Sequence, residues 1–297
     1  MLFMNSTTIT KLVKSQIISC SRRTDIPAFL MDWVIDRIQI GYVDVANPFY
    51  PSQVSRISLK PEDVKCWMWW SKNFDNWIQL YQNKPEVFNI YKGHCFQFTI
   101  NSPSELEKNV EISLDDRLKQ LKWLIDEFDA SAVNYRYDPI IFYKSKNSDK
   151  IKNNLNKFEY IIEKVSSLGL NEMIFSFATM YSKVEKRMKA RSHIPIIPNF
   201  EKKKEILKKL IKICNKNSIV MKACCQPDLL ALQGIEQAHC IDGKKIERII
   251  GEPISQVRDT GQRKECSCTK SRDIGGYTGI FRCKHNCDYC YASPAKN

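Results

Sequence analysis

Along the chain, short runs of β-branched and aromatic residues alternate with longer stretches in which apolar residues recur every three or four positions. The short runs are "QIIS" (16–19), "YVDVA" (42–46), "KCWMWW" (65–70), "CFQFTI" (95–100), "AVNYRY" (132–137), "MIFSFA" (173–178) and "IVMKAC" (219–224). Runs of this length and composition predict strands. The helical period appears between them, over 27–41, 72–84, 113–129, 148–166, 180–190 and 200–216. Strand alternating with helix implies a parallel sheet, because parallel neighbours need a long crossover. No glycine-rich phosphate loop follows the first run. The expected fold is therefore α/β, a TIM-barrel-like or partial (β/α) barrel rather than a dinucleotide-binding sheet. From about 225 the pattern breaks into short pieces rich in cysteine. The expected organisation is a barrel over 1–224 and a cysteine-rich, metal-binding cap over 225–297 packed on it.

The length of 297 residues suits one large domain with an appendage, and a hydrophobic fraction of 43% supplies a core that needs no cross-links to compensate for size. No apolar run approaches the roughly 20 residues of a membrane span. The amino-terminal stretch "MLFMNSTTITKLVKSQIIS" mixes polar residues through its apolar ones, unlike a secretory leader. A cytoplasmic protein with no membrane partner is expected. In that reducing compartment twelve cysteines point to metal or redox chemistry rather than a disulfide framework. The net charge of +13 is compatible with an anionic partner such as nucleic acid. Much of it, however, lies in 144–157 and 201–216, where Lys alternates with apolar residues as on a solvated helix face.

If the chain is a barrel enzyme, its reactive groups belong at the C-terminal ends of the strands. Those positions are polar here. "QIIS" runs into Cys20, Ser21, Arg22, Arg23, Thr24 and Asp25; "YVDVA" into Asn47 and Pro48; "CWMWW" into Ser71, Lys72 and Asn73. Arg136 and Asp138 lie two apart and so share one side of a strand expected to stop at Pro139. Gln97 and Thr99 share a face of the fourth run, and Ser176 lies near the end of the sixth. Each has a plain structural reading: an Arg136–Asp138 ion pair, Asp25 as a helix cap, Asn47-Pro48 as a turn. Together they describe a mouth lined with charges of both signs, suited to a zwitterionic or anionic ligand.

The sharpest chemical signal is Cys283-x3-Cys287-x2-Cys290. A [4Fe–4S] cluster normally takes four thiolates; three in one tight loop hold three irons and leave the fourth open. This spacing, with an aromatic just before the last cysteine, resembles the signature of radical S-adenosylmethionine (SAM) enzymes, and Tyr289 fills the aromatic position. Zinc is the rival, because Cys287-x2-Cys290 has zinc-ribbon spacing and Cys266-x-Cys268 would complete a four-thiolate site. Cys225, Cys240, Cys266 and Cys268 form a further four-thiolate set for a second [4Fe–4S] cluster or a zinc, with Cys224 an alternative to its neighbour. Cys20, Cys66, Cys95 and Cys214 read as small buried hydrophobes. His94, His193 and His239 show no useful pairing, and His285 reads as shaping the cysteine loop.

In order along the chain, "CSRRTDIPAF", "NPF", "QVSRISLKPEDV", "WWSKN", "YRYDPII", "SFATMYSKV", "GQRKECSCTKSRDIGGY" and "CKHNCDYCYA" resemble the successive motifs of a bacterial family, the domain of unknown function 1848 (DUF1848) family. The resemblance implies a circularly permuted relation to the radical SAM barrel, in which the cluster loop comes last in sequence and sits beside the first strand. "RYDPI" and "SRRTD" are also similar to strand-end motifs of the spore photoproduct lyase branch. The chain departs from the radical SAM pattern in motif order and in lacking a "GGE" segment for the SAM amino group.

The leading expectation is reductive cleavage of SAM to a 5′-deoxyadenosyl radical at a cluster held by Cys283, Cys287 and Cys290. Arg136, Asp138 and Lys72 would act catalytically, and Tyr289, Ser21, Arg22, Asp25 and Asn73 would bind the cofactor. A small reductant protein such as ferredoxin or flavodoxin would supply the electron. The alternative is a basic nucleic-acid-binding protein whose tail is a zinc ribbon.

Overall fold

The computed structural model describes residues 9–292. The first eight residues of the amino-terminal stretch and the last five of the expected tail lie outside the described residues.

Among the described residues, eight strands form one parallel sheet: β1 (Ile17–Cys20), β2 (Cys66–Ser71), β3 (Gly93–Thr99), β4 (Val133–Ile140), β5 (Glu172–Phe177), β6 (Val220–Ala223), β7 (Ile235–Gln237) and β8 (Arg272–Asp273). Their order is β7-β6-β5-β4-β3-β2-β1-β8. Seven strands thus follow chain order, and the last in sequence adds beside the first, with Arg272 opposite Ile18 and Asp273 opposite Ser19. Both edge strands come from the chain beyond residue 224. The architecture is α/β, as the alternating pattern predicted.

The crossovers run through helices α1 (Met31–Ile40), α2 (Asp75–Asn83), α3 (Leu114–Phe128), α4 (Phe158–Ser167), α5 (Ser182–Ala190) and α6 (Phe200–Lys216), with α7 (Gly243–Ile250) between β7 and β8. Side chains alternate across the sheet. Trp67, Trp69, Phe96, Phe98, Tyr135, Tyr137, Met173 and Phe175 pack with the helices in the main core. Ile17, Cys66, Met68, Cys95 and Ile174 point to the other face, covered by Ile241, Ile246, Ile254 and the cysteines of 240–268. Arg136 and Asp138 belong to that second face, because they alternate with the core residues Tyr135 and Tyr137. Helix α7 lies so close beneath it that a Cβ on Gly93 would stand 2.5 Å from Ile250 Cγ2.

Three expectations are corrected here. The strand 42–46 exists, but it pairs antiparallel with Val54–Ser58, outside the parallel sheet. β4 runs through Pro139 to Ile140, where it still pairs with Phe177 of β5 after a register shift. Of 148–166, only α4 is helical; the stretch before it carries the short strand Lys152–Asn153. No helix among the described residues is long and apolar enough to cross a membrane.

Candidate functional site

Residues 283–290 form a loop after the short turn Gly279–Phe281. Asn286 turns it with φ 48°, a left-handed conformation that Asn tolerates through its short polar side chain. Cys290 N then donates to Cys287 O at 3.1 Å. The loop is docked on the C-terminal ends of the strands from three sides. His285 Nε2 lies 3.0 Å from Asp25 Oδ2. Asp25 in turn accepts from Ser71 Oγ at 2.7 Å and Lys72 N at 2.8 Å, and it caps the short helix Ile26–Phe29 through Ala28 N at 3.1 Å. Tyr289 Oη donates to Glu107, which also receives Lys72 Nζ at 3.0 Å and Asn101 Nδ2 at 2.7 Å. On the third side Arg187 donates to the carbonyls of Asp288 and Cys290, and Arg191 to Asn286 and Asp288. His193 Nδ1 completes this clamp 2.8 Å from the Asp288 carboxylate.

Burial dominates the electrostatics of the loop. Burial pushes the Cys283 thiol up to about 11, with Asp25 adding to it. Burial likewise raises Cys287 well above the ordinary thiol value, with Glu107, Cys290 and Cys283 as charged neighbours. Cys290 is raised by burial against the pull of Arg187 and Lys72. Burial thus makes all three thiols harder to ionise than an ordinary cysteine, and any metal taking them would have to displace their protons. Beneath them burial opposes ionisation of Glu107, but Lys72, hydrogen bonds from Tyr289 and Asn101, and Arg117 outweigh it and hold the carboxyl at about 2. His285 Nδ1 is buried without a hydrogen-bond partner, leaving donor or acceptor capacity within the loop.

The same rim carries Arg136 and Asp138. Arg136 Nη2 donates to Asp138, while Nη1 donates to Gln97 Oε1 at 3.2 Å and lies 3.0 Å from Cys240 Sγ. Asp138 also accepts from Ser176 Oγ. Its backbone N–H donates to Asn101 Oδ1 at 3.0 Å, and Asn101 Nδ2 reaches Tyr289 Oη at 3.3 Å. Contacts therefore run unbroken from Cys240 through Arg136, Asp138 and Asn101 to the cysteine loop. The Trp70 ring lies between two guanidiniums, Arg22 at 5.0 Å and Arg136 at 5.3 Å from its centroid. Asp273 on β8 gathers the segment after β1, accepting from Ser19 Oγ (3.0 Å), Ser21 Oγ (2.7 Å), Arg22 N (2.7 Å) and Gly275 N (3.0 Å).

Cys225, Cys240, Cys266 and Cys268 also come together, and Cys224 joins them. Cys224 Sγ stands 3.4 Å from Cys240 Sγ and 3.9 Å from Cys225 Sγ. Hydrogen bonds from Cys224 and Cys266, with the charge of Arg263, outweigh burial and hold the Cys225 thiol at about 3. Among the described residues no three His, Cys, Asp or Glu side chains converge on a single ion position.

The structure thus brings most of the sequence-derived residues to one rim and redistributes their tasks. Lys72 and Asp25 are engaged in holding the cysteine loop. Asn73 turns outward, its Oδ1 accepting from Asp75 N and Gln120 Nε2. His193 has a partner after all in Asp288. His94 sits in the aromatic core, 3.0 Å from Trp69 Nε1. Cys20, Cys66, Cys95 and Cys214 are buried. Sequence reasoning missed Glu107, Asn101, Arg187, Arg191 and Asp273. Of these only Asp273 carried a signal, inside "SRDIGGY".

A family model described as "Domain of unknown function (DUF1848)" matches residues 17–292. The chain belongs to the DUF1848 family. Its matched span runs from the first residue of β1 through the cysteine loop, so both cysteine groups and the rim fall inside this family domain. No curated protein and no solved structure matches the chain.

Proposed function

We propose that this DUF1848 protein is a radical SAM-like enzyme whose Cys283, Cys287 and Cys290 hold a [4Fe–4S] cluster with one iron open to SAM. The observation that carries this reading is the docking of an all-thiolate loop at the strand ends, joined to Arg136 and Asp138 through Tyr289 and Asn101. The position of β8 beside β1 supports it too, because the loop follows β8 in sequence and so stands by the first strand. We read the sheet accordingly as a partial (β/α) barrel of circularly permuted radical SAM type. When bound, the cluster supplies an electron, delivered by a ferredoxin or flavodoxin, for reductive cleavage of SAM to methionine and a 5′-deoxyadenosyl radical.

The chain's own residues would bind and orient. Arg22, whose guanidinium stands 5.0 Å from the Trp70 ring on this rim, would face the SAM carboxylate. Asp138 and Ser176 offer acceptors for its amino group. Lys72, Glu107, Asp25 and the Arg187–Arg191–His193 clamp act as positioning residues that fix the loop's aim. Trp70 walls the mouth and excludes water.

The test is formation of 5′-deoxyadenosine from SAM by anaerobically prepared protein given a low-potential reductant. The expected result is product from the wild type and none from Cys287→Ser. Equal product from both, or none from iron-replete wild type, overturns the reading.

A further inference from the structure

We propose that Cys225, Cys240, Cys266 and Cys268 hold a second iron–sulfur cluster, separate from the terminal loop, with Arg136 and Arg22 as its charge partners. Three elements converge to make it. Cys224 and Cys225 follow β6, Cys240 follows β7, and Cys266 and Cys268 lie in the turns that lead to β8. The sulfurs form a closed ring of neighbours. Cys240 meets Cys224 at 3.4 Å and Cys224 meets Cys225 at 3.9 Å, while Cys225 and Cys266, Cys266 and Cys268, and Cys268 and Cys240 are near enough to shift one another's thiols.

The ring is furnished as a thiolate site. Ile241 N–H points at Cys268 Sγ from 3.4 Å, and Arg136 Nη1 at Cys240 Sγ from 3.0 Å. Donors aimed at sulfur stabilise thiolates and tune the metal they bind. Arg22 stands beside Cys268 with its Nη2 buried and unpartnered, and the neighbouring Trp70 Nε1 is likewise buried without an acceptor. Buried guanidinium and indole donors cost stability unless an acceptor meets them. A cluster carried on four thiolates has net negative charge and sulfide acceptors, which is what these donors lack. Around the ring Ile17, Met68, Ile174, Ile241 and Ile254 supply an apolar wall that keeps water out.

Cluster chemistry fits better than a single zinc. A tetrahedral zinc draws four thiolates to about 2.3 Å from one point and so to within about 4 Å of each other. The measured Sγ–Sγ neighbours already meet that spacing, so the choice rests on the donors: Arg22 Nη2 and Trp70 Nε1 are buried without acceptors, and a cluster brings sulfide to meet them where a zinc on four thiolates does not. Cys225 reaches the ring from a left-handed backbone, φ 53°, a conformation non-glycine residues adopt at a cost and mostly at functional positions. Cys224, just past the end of β6, is the fifth sulfur of the group and the alternative ligand to its neighbour Cys225.

Metal and sulfide content of the anaerobically reconstituted full chain decides the matter, comparing wild type with Cys283→Ala/Cys287→Ala/Cys290→Ala. Two four-iron clusters predict about eight irons in the wild type and about four in the loop variant, with the variant's electron paramagnetic resonance (EPR) signal indifferent to SAM. About four irons in both proteins would leave this second site standing and sink the terminal-loop reading instead. About one zinc in the loop variant, no metal at all, or a Cys224–Cys240 disulfide in metal-free protein would each overturn it. Should the loop variant not fold, the wild-type count decides: about four irons that Cys240→Ala/Cys268→Ala retains would equally overturn the second cluster.

Discussion

Arg136 is buried among three partners of different chemistry: the Asp138 carboxylate, the Gln97 amide and the Cys240 thiol. Truncation to Leu takes a donor from each, though Asp138 keeps Ser176 Oγ and Cys240 keeps Cys224 Sγ. Removing one member of a buried charge pair costs about 3–5 kcal/mol, so Arg136→Leu should lower the urea midpoint while a chain that still folds makes no 5′-deoxyadenosine. Full turnover in that variant would remove Arg136 from the site. His94 makes an independent prediction at this scale. Burial lowers its pKa to about 4, against about 6.5 for an unfolded chain. The unfolded state therefore takes a proton first as pH falls, and stability is lost between about 6.5 and 4, by on the order of 3 kcal/mol. Unfolding curves at pH 7 and pH 4.5 should show this loss in the wild type and a smaller one in His94→Gln; equal losses would contradict it. Single residues were legible where alternation decides: spacing alone set Arg136 and Asp138 on one face. Arg187, Arg191 and His193 were not legible, because their partners Asn286 and Asp288 lie roughly a hundred positions away and "SKVEKRMKA" reads as a solvated helix.

β8 is two residues long, too short for any periodicity, yet it orders the site. Asp273 collects four donors from β1, the segment after it and Gly275. Charge-assisted hydrogen bonds contribute about 1.5–3 kcal/mol each where buried. Asp273→Ala should therefore destabilise the protein by about 3 kcal/mol or more and speed proteolytic release of the cysteine loop; unchanged cleavage would show that β8 does not anchor it. Gly275 approaches Ser21 so closely that a Cβ would stand 2.0 Å from Ser21 Oγ. Gly275→Ala should cost about 1–3 kcal/mol through overpacking, read as a lower melting temperature. The long strands and helices were legible because each carries a period matched to its burial. The 42–46 strand shows the boundary of that reading: its pattern declares a strand but not its partner, and the nearby Val54–Ser58, with Arg56 opposite Asp44, claims it in an antiparallel pair.

At the scale of the whole molecule, one network joins the two cysteine groups across the strand ends, from Cys240 through Arg136, Asp138, Asn101 and Tyr289 to the terminal loop. The cysteine spacing was legible in the sequence, whereas the return of the loop to the first strand was implied only by the family resemblance. The network was not legible, since it needs Asn101 and Glu107, ordinary polar residues in a loop with no motif of their own. The central claim is that the terminal loop presents an open iron to SAM at this rim. EPR of the reduced protein, recorded with and without SAM, tests it most directly. The account predicts a [4Fe–4S] signal whose g values shift on adding SAM, and loss of that response in Cys287→Ser. A signal indifferent to SAM in active-site-intact protein, or a colourless protein loaded with zinc, would contradict it.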